Sequence, residues 1–149
     1  MSNAGIPASE KIALLGVIDP DANTAADYST VYVDMGKWSR LLGIVMAGTL
    51  GSSATLNAKF EQAKTNNGSP KDVTSKVITE LTQAGTDSDK QVKMDLCQED
   101  LDVANGYVWA RLTMTVGTAT SDSGAVLLGI DPVYGPASDS DLTSVDETV

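Results

Sequence analysis

The sequence of 149 residues contains no histidine and one cysteine, Cys97. Without histidine, neither a Ser-His-Asp or Cys-His catalytic pair nor the commonest imidazole metal sites can be built. One cysteine excludes an intrachain disulfide and a cysteine-based zinc site, so we interpret Cys97 as a small buried apolar side chain. We therefore expect a protein that is not an enzyme and that uses no cofactor and no metal.

Long hydrophobic runs and a basic surface are also missing. The run at residues 12–18 is too short to span a bilayer, and residues 1–10 have no basic cluster of the kind that opens a signal peptide. The net charge is −10, and residues 112–149 carry acidic side chains but no Lys or Arg. Such a surface repels a phosphate backbone. We expect no nucleic-acid partner, no membrane partner and no secretion.

Short apolar runs that alternate with polar residues are the main pattern of the sequence. Clusters of Gly, Pro, Asn, Asp and Ser separate them at intervals typical of antiparallel sheets. The pattern predicts about eight strands, at residues 12–18, 29–35, 38–47, 55–63, 73–81, 91–96, 109–116 and 126–130. The fold class is therefore an all-β antiparallel sandwich, similar to a jelly roll.

Individual runs and turns sharpen this prediction. Residues 38–47 are almost continuously apolar, which is typical of a central strand covered on both sides. Residues 19–21, Asp-Pro-Asp, are expected to end the first strand, because proline removes a backbone donor. Asn67-Gly68 and Asn105-Gly106 are expected to supply the positive φ of tight turns.

The composition divides the chain into three parts: an N-terminal arm at residues 1–11, a single sandwich domain at 12–136, and an acidic tail at 137–149. The tail is rich in Ser, Asp and Thr and has few apolar side chains. We expect it to be mobile, or to be ordered by a partner.

One group of oxygen-bearing residues resembles the start of a calcium loop. Asp19, Asp21 and Asn23 have the right spacing, but Thr24 replaces the required glycine and Thr30 stands where a bidentate glutamate belongs. Aspartate in turns usually bonds to nearby backbone, so we interpret these residues as turn formers. No nucleotide-binding or Ser-Lys motif occurs in the sequence.

Aromatic side chains, which dominate protein interfaces, and residues of the N-terminal arm are the best candidates for contacts with a partner. The candidates are Ile6, Pro7, Trp38 and Tyr134. Packing in the core or at a strand edge is the alternative for the aromatic ones.

Three stretches of the sequence resemble a family of small virion proteins of tailed phages. They are ATLNAKFEQAKTNNGSPKDVTSKVITELTQA at residues 54–84, residues 90–111 with their LDVANGY corner, and GAVLLGIDPVYGPA at 124–137. The resemblance implies a β-sandwich subunit, made in the host cytoplasm and located on the capsid surface. It implies a head decoration or cement protein that binds the lattice of the major capsid protein, often as a homotrimer, and transfers no catalytic residues.

Two other classes of function stay open at this point. The protein could be a subunit of a tail, a head-tail connector or a fibre, or it could be a carbohydrate-binding module, since sandwiches commonly bind ligands in their loops. If the protein is a capsid decoration protein, residues 2–7 or exposed strand edges would bind the shell.

Overall fold

The computed structural model describes residues 5–149, and this part of the chain is built from β-strands and short 3₁₀ helices, without an α-helix. The 3₁₀ helices are Ala8–Glu10, Gln98–Asp100, Val103–Asn105 and Ala137–Ser140. The ten strands are β1 (Ile12–Asn23), β2 (Ala26–Ser29), β3 (Val33–Asp34), β4 (Trp38–Ala47), β5 (Thr55–Ala63), β6 (Lys71–Val77), β7 (Leu81–Thr82), β8 (Gln91–Cys97), β9 (Trp109–Gly117) and β10 (Ser121–Pro132).

The strands form two antiparallel sheets that pack face to face. The first sheet has the order β1-β10-β4-β8. The second has the order β2-β9-β5-β6, with β3 also pairing with β9 and β7 with β5. If β2 with β3 and β6 with β7 are each counted as one interrupted strand, eight strands remain, in the order of a jelly roll. The predicted all-β sandwich is confirmed.

An irregularity of the strand pairing accompanies each interruption. Between β2 and β3 the side chain of Thr30, and not a backbone carbonyl, accepts the hydrogen bond of the Leu112 amide at 3.1 Å. In β6, Ser75 takes a positive φ of 64°, and the register with β5 shifts between Lys59 and Glu61. The predicted strands at 29–35 and 73–81 are each split in two, the second of them after Val77.

The prediction that β1 ends at residue 18 is wrong. β1 continues to Asn23, and its pairing with β10 is irregular between Ile18 and Asp21. The strand tolerates Pro20 because β1 lies at the edge of its sheet, where a missing donor need not break a ladder. Beyond the irregularity, the Asn23 side chain donates to the Ser123 carbonyl at 2.9 Å, which holds the end of β1 against β10.

The hydrophobic core lies between the sheets. Its largest fully buried side chains are Phe60, Met35, Leu41, Leu56, Leu96, Leu112, Met114 and Leu127. Trp38 is also part of it, at 3% exposure, and a Cβ at Gly129 would lie 2.7 Å from the Trp38 ring. The prediction that β4 is covered on both sides is wrong, because only alternate residues such as Leu41 and Val45 are buried.

The prediction of a mobile tail is wrong for residues 137–145. Ala137 is fully buried, and the Leu142 amide donates to the Leu14 carbonyl at 2.9 Å. The Leu14 amide in turn donates to the Asp141 carboxylate at 2.7 Å. The partner that orders this segment is β1 of the same chain. Of the predicted arm, residues 1–4 lie outside the described residues, and Ala8–Glu10 forms a 3₁₀ turn.

Candidate interaction surface

The outer face of the first sheet, which points away from the core, is aliphatic. Cross-strand pairing aligns Leu14, Leu128 and Leu42 in one row, and Val17, Val126 and Ile44 in the next. We call this surface the apolar face. It consists of nine side chains on three adjacent strands: Ile12, Leu14, Val17, Leu42, Ile44, Met46, Val126, Leu128 and Ile130.

These side chains are packed against one another and open to solvent on their outer side. Ile12 and Met46 are 37% and 42% exposed, and the other seven are half-buried. Strand spacing and rise give three strands of this length a projected area of roughly 300 Å². A contiguous apolar patch of this size on a soluble protein commonly marks an interaction site.

A polar border runs along one side of the apolar face. It is formed by Gln91, Lys93 and Asp95 of β8, together with Arg40 of β4, whose side chains point to the same side of the sheet. Within residues 5–149, no carboxylate lies within ion-pair distance of Arg40 or Lys93. An apolar centre with a charged border is the usual anatomy of a protein interface.

Cys97 lies at the end of this border. It is half-buried, and its Sγ donates to an Asp100 carboxylate oxygen at 3.3 Å. Hydrogen bonds to Asp100 and Glu99, together with burial, raise the pKa of the Cys97 thiol to about 11. The thiol therefore stays protonated at neutral pH and is a poor nucleophile.

The outer face of the second sheet has the opposite character, and we call it the polar face. Glu61, only 7% exposed, accepts hydrogen bonds from Arg111 Nε at 3.0 Å and from Thr113 Oγ1 at 2.6 Å. Lys59 Nζ lies 2.7 Å from Asp72 Oδ1. Since these charges are paired within the chain, the polar face offers little unsatisfied bonding capacity to a partner.

The predicted contact residues have different positions. Trp38 is buried, so it cannot contact a partner and belongs to the core. Ile6 is 51% exposed, Pro7 is exposed and Tyr134 is 76% exposed. These three lie beyond the end of the first sheet at which β1 begins and β10 ends, and their role as contacts stays a prediction.

The apolar face itself was missed by the sequence reasoning. The available signal was the run at 38–47, in which apolar side chains occur at both odd-numbered and even-numbered residues, and therefore on both faces of the strand. That pattern correctly indicated two apolar faces on β4, but only one of them is covered by this chain.

The acidic residues do not form a metal site. No group of three or more Cys, Asp or Glu side chains in the described part of the chain could hold a metal ion. Asp19, Asp21 and Asn23 lie along an extended strand, and Asp21 accepts a hydrogen bond from the Ala22 amide at 2.8 Å. Residues 5–149 also contain no helix that is long and apolar enough to cross a membrane.

The fold and surface together define a jelly-roll sandwich with one uncovered aliphatic face. No family model matches the chain, and no curated protein matches it. Among solved structures, a chain of Broad Bean Stain Virus is similar, with 11% identity, a TM-score of 0.43, and coverage of 91% of this chain and 95% of that one.

Two further solved structures are similar. The Tobacco streak virus coat protein has 8% identity and a TM-score of 0.43, covering 90% of this chain and 96% of that one. The SPBc2 prophage-derived protein YomS has 14% identity and a TM-score of 0.39, covering 76% of this chain and 94% of that one. These values are too low to carry an argument about function.

Proposed function

We propose that the protein is a structural component of a tailed-phage particle, and that it acts as a decoration or cement protein on the capsid lattice. The observation that carries the proposal is the apolar face. Its nine aliphatic side chains lie on a rigid sheet, whose opposite face is the core of the domain. The sequence resemblance of residues 54–137 to small virion proteins supports the same role.

The driving force for docking would come from the centre of the face. Covering roughly 300 Å² of aliphatic surface at about 25 cal/mol per Å² contributes several kcal/mol before the entropic cost of association. A stable interface needs about 800 Å² per partner, so the polar border and neighbouring residues must also take part. Tyr134 and Ile6, both exposed, are suited to extend the contact beyond the sheet.

The charge of the chain constrains the partner surface. A net charge of −10 disfavours contact with a strongly acidic lattice, whereas Arg40 and Lys93 at the border each need an acidic or polar group opposite them. We therefore propose a partner surface with an apolar patch and a few acidic groups beside it. The homotrimer that the resemblance implies is a prediction for the assembled state.

The test is the loading of empty tailed-phage shells with the wild-type protein and two lysine variants. Ile44→Lys places a charge in the centre of the apolar face and should reduce shell occupancy at least about tenfold. Asn57→Lys adds the same charge on the outer face of the second sheet, and should load normally. Co-sedimentation followed by protein quantification gives the number of copies per shell.

The outcomes separate the alternatives. Saturation at a fixed ratio across the whole lattice supports a decoration protein. A small, ring-like number of copies would instead favour a tail or connector subunit. Equal loading of wild type and Ile44→Lys, or no loading of the wild type, would refute a role for the apolar face on the shell.

A further inference from the structure

The sandwich has four sheet edges, and three of them are protected against pairing with another chain. β1 is irregular in two places and is covered by Asp141 and Leu142, which bond to Leu14. The β2–β3 edge and the β6–β7 edge are both interrupted, as described above. Interruptions, bulges and covering segments are the devices by which proteins prevent their edges from pairing with other chains.

The fourth edge, β8, has none of these devices. Its seven residues pair with β4 in unbroken register from Arg40–Cys97 to Met46–Gln91, and the strand contains no proline. Along its outer side, the backbone groups of Lys93 and Asp95 have no hydrogen-bond partner within the described part of the chain, whereas the Cys97 amide donates to Asp100 at 2.9 Å. A straight strand with free amides and carbonyls is a template for an added strand.

We propose that β8 pairs with β8 of a second copy of this chain, antiparallel and about a two-fold axis through Met94. The sequence Gln-Val-Lys-Met-Asp-Leu-Cys supports this register, because the axis places Lys93 of one copy opposite Asp95 of the other, twice. Both side chains are exposed and lie on the same side of the sheet. Opposite charges at facing positions stabilise an antiparallel pair, whereas like charges destabilise it.

The apolar side chains of β8 fit the same register. Val92 of one copy, which is half-buried, would lie opposite Leu96 of the other on the inner side of the sheet, where Leu96 is already buried in its own core. Beside this edge lies an open groove of about 470 Å³, whose walls include Val77, Ile78 and Leu81. Val77 is 57% exposed there. Pairing would bring a second copy over this groove and would join the two first sheets into one of eight strands.

The inference concerns the free edge of the first sheet and does not depend on the proposed function, which concerns the outer face of that sheet, although Lys93 and Asp95 belong both to the edge and to the polar border. A pair of edges that is complementary to itself gives an isologous contact with two-fold symmetry, and such a contact closes after two copies. It therefore predicts a dimer in solution, whereas the trimer that the sequence resemblance implies is a prediction for the assembled state.

Charge exchange at the two exposed positions tests the register. Lys93→Glu would place acid opposite acid at both contacts, and Asp95→Lys would place base opposite base. Each should weaken dimerisation at least about tenfold. The double variant restores opposite charges and should dimerise like the wild type, and an equimolar mixture of the two single variants should form a heterodimer. Lys37→Glu, an exposed change of the same charge outside β8, is the matched control.

Sedimentation velocity over a range of concentrations gives the oligomeric state, and hydrogen exchange at low and high concentration gives the protection of the β8 amides. A dimer that the single variants weaken and the double variant restores, with concentration-dependent protection of the outward-pointing Lys93 and Asp95 amides, supports the inference. The inference would be overturned by a monomer at every accessible concentration or by a trimer. It would also be overturned by a dimer whose dissociation constant neither single variant changes. Shell loading is a separate readout, so a failure here leaves the apolar face untouched.

Discussion

The two outer faces of the sandwich are built on the same two-residue alternation but carry different chemistry. On the first sheet the outward positions of β1, β4 and β10 are aliphatic, as at Val17, Ile44 and Val126. On the second sheet the outward positions of β5 and β9 carry Glu61 and Arg111, which pair with each other. A sheet needs one apolar face to fold, so the second apolar face is not required by the fold of a single chain.

The comparison indicates that one face of the sandwich contributes to the stability of the monomer and the other to association with a partner. The polar face satisfies its own charges and should contribute to the stability of the monomer. The apolar face leaves its side chains half-buried, and the free energy of burying them further becomes available only when another surface covers it. Substitutions on the two faces should therefore affect different measurements.

The largest expected effect is on the polar face. Glu61→Gln removes the buried charge that accepts from Arg111 and Thr113, and leaves Arg111 without its ion-pair partner. Breaking a buried pair by removing one partner typically costs 3–5 kcal/mol, and because Arg111 is partly exposed we expect about 3 kcal/mol. Urea denaturation gives the free energy of unfolding.

Asp72→Asn provides the matched control for this prediction. The Asp72 side chain is 67% exposed, and its ion pair with Lys59 should contribute less than about 1 kcal/mol. If the two variants lowered stability equally, the polar face would be an ordinary solvated surface and the contrast between the faces would fail.

Acid should weaken the contacts that Asp87 and Asp102 make with strands of the second sheet. Hydrogen bonds from Lys71 and Asn105 lower the pKa of Asp102, and bonds from Lys90 and the Thr82 amide lower that of Asp87. Carboxylates with lowered pKa values stabilise the folded state above their ordinary pKa near 4 and lose this contribution as pH falls through the lowered values.

We therefore expect the free energy of unfolding to decline below about pH 4. The double variant Asp87→Asn/Asp102→Asn should show a shallower decline, because two of the titrating groups are gone. Thermal unfolding between neutral and acidic pH measures both slopes. If the free energies of unfolding of the wild type and the variant declined with the same slope, the hydrogen bonds of Asp87 and Asp102 would not be the cause of the decline.

The smallest effect on stability is expected on the apolar face. Met46 is 42% exposed and points outward, so Met46→Thr should change the free energy of unfolding by no more than about 0.5 kcal/mol. A larger loss would mean that the apolar face belongs to the core of the monomer. The same variant should weaken shell loading, although less than Ile44→Lys, since it lies at the end of the patch.

The alternation of apolar and polar residues predicted the strands well where pairing within the sheet determines their bounds. The runs at 38–47 and 55–63 coincide with β4 and β5 in their bounds. It failed where a distant contact decides. The hydroxyl of Thr30 interrupts an edge strand by accepting from Leu112, and Pro20 is tolerated because β1 lies at an edge, which sequence cannot show.

The predictions for the tail and for Trp38 failed for a related reason. The polar composition of residues 137–149 predicted mobility, but Asp141 bonds to Leu14, 127 positions away, and this single contact reverses the expectation. Trp38 was predicted from its residue type as an interface anchor. A glycine opposite, Gly129, leaves space for its ring inside the sandwich, and no rule based on neighbouring residues reveals that space.

β1 pairs with β10 along nearly its whole length, although residues 24–120 are synthesised between them. At common rates of translation, about ten seconds pass between the synthesis of β1 and that of β10. During this time the aliphatic side chains and both edges of β1 are exposed. The segment that covers its outer edge, Asp141 and Leu142, is made later still. Closure of the sandwich and protection of this edge therefore both depend on segments made after the other strands, and until they are made the exposed β1 is prone to pair with other chains.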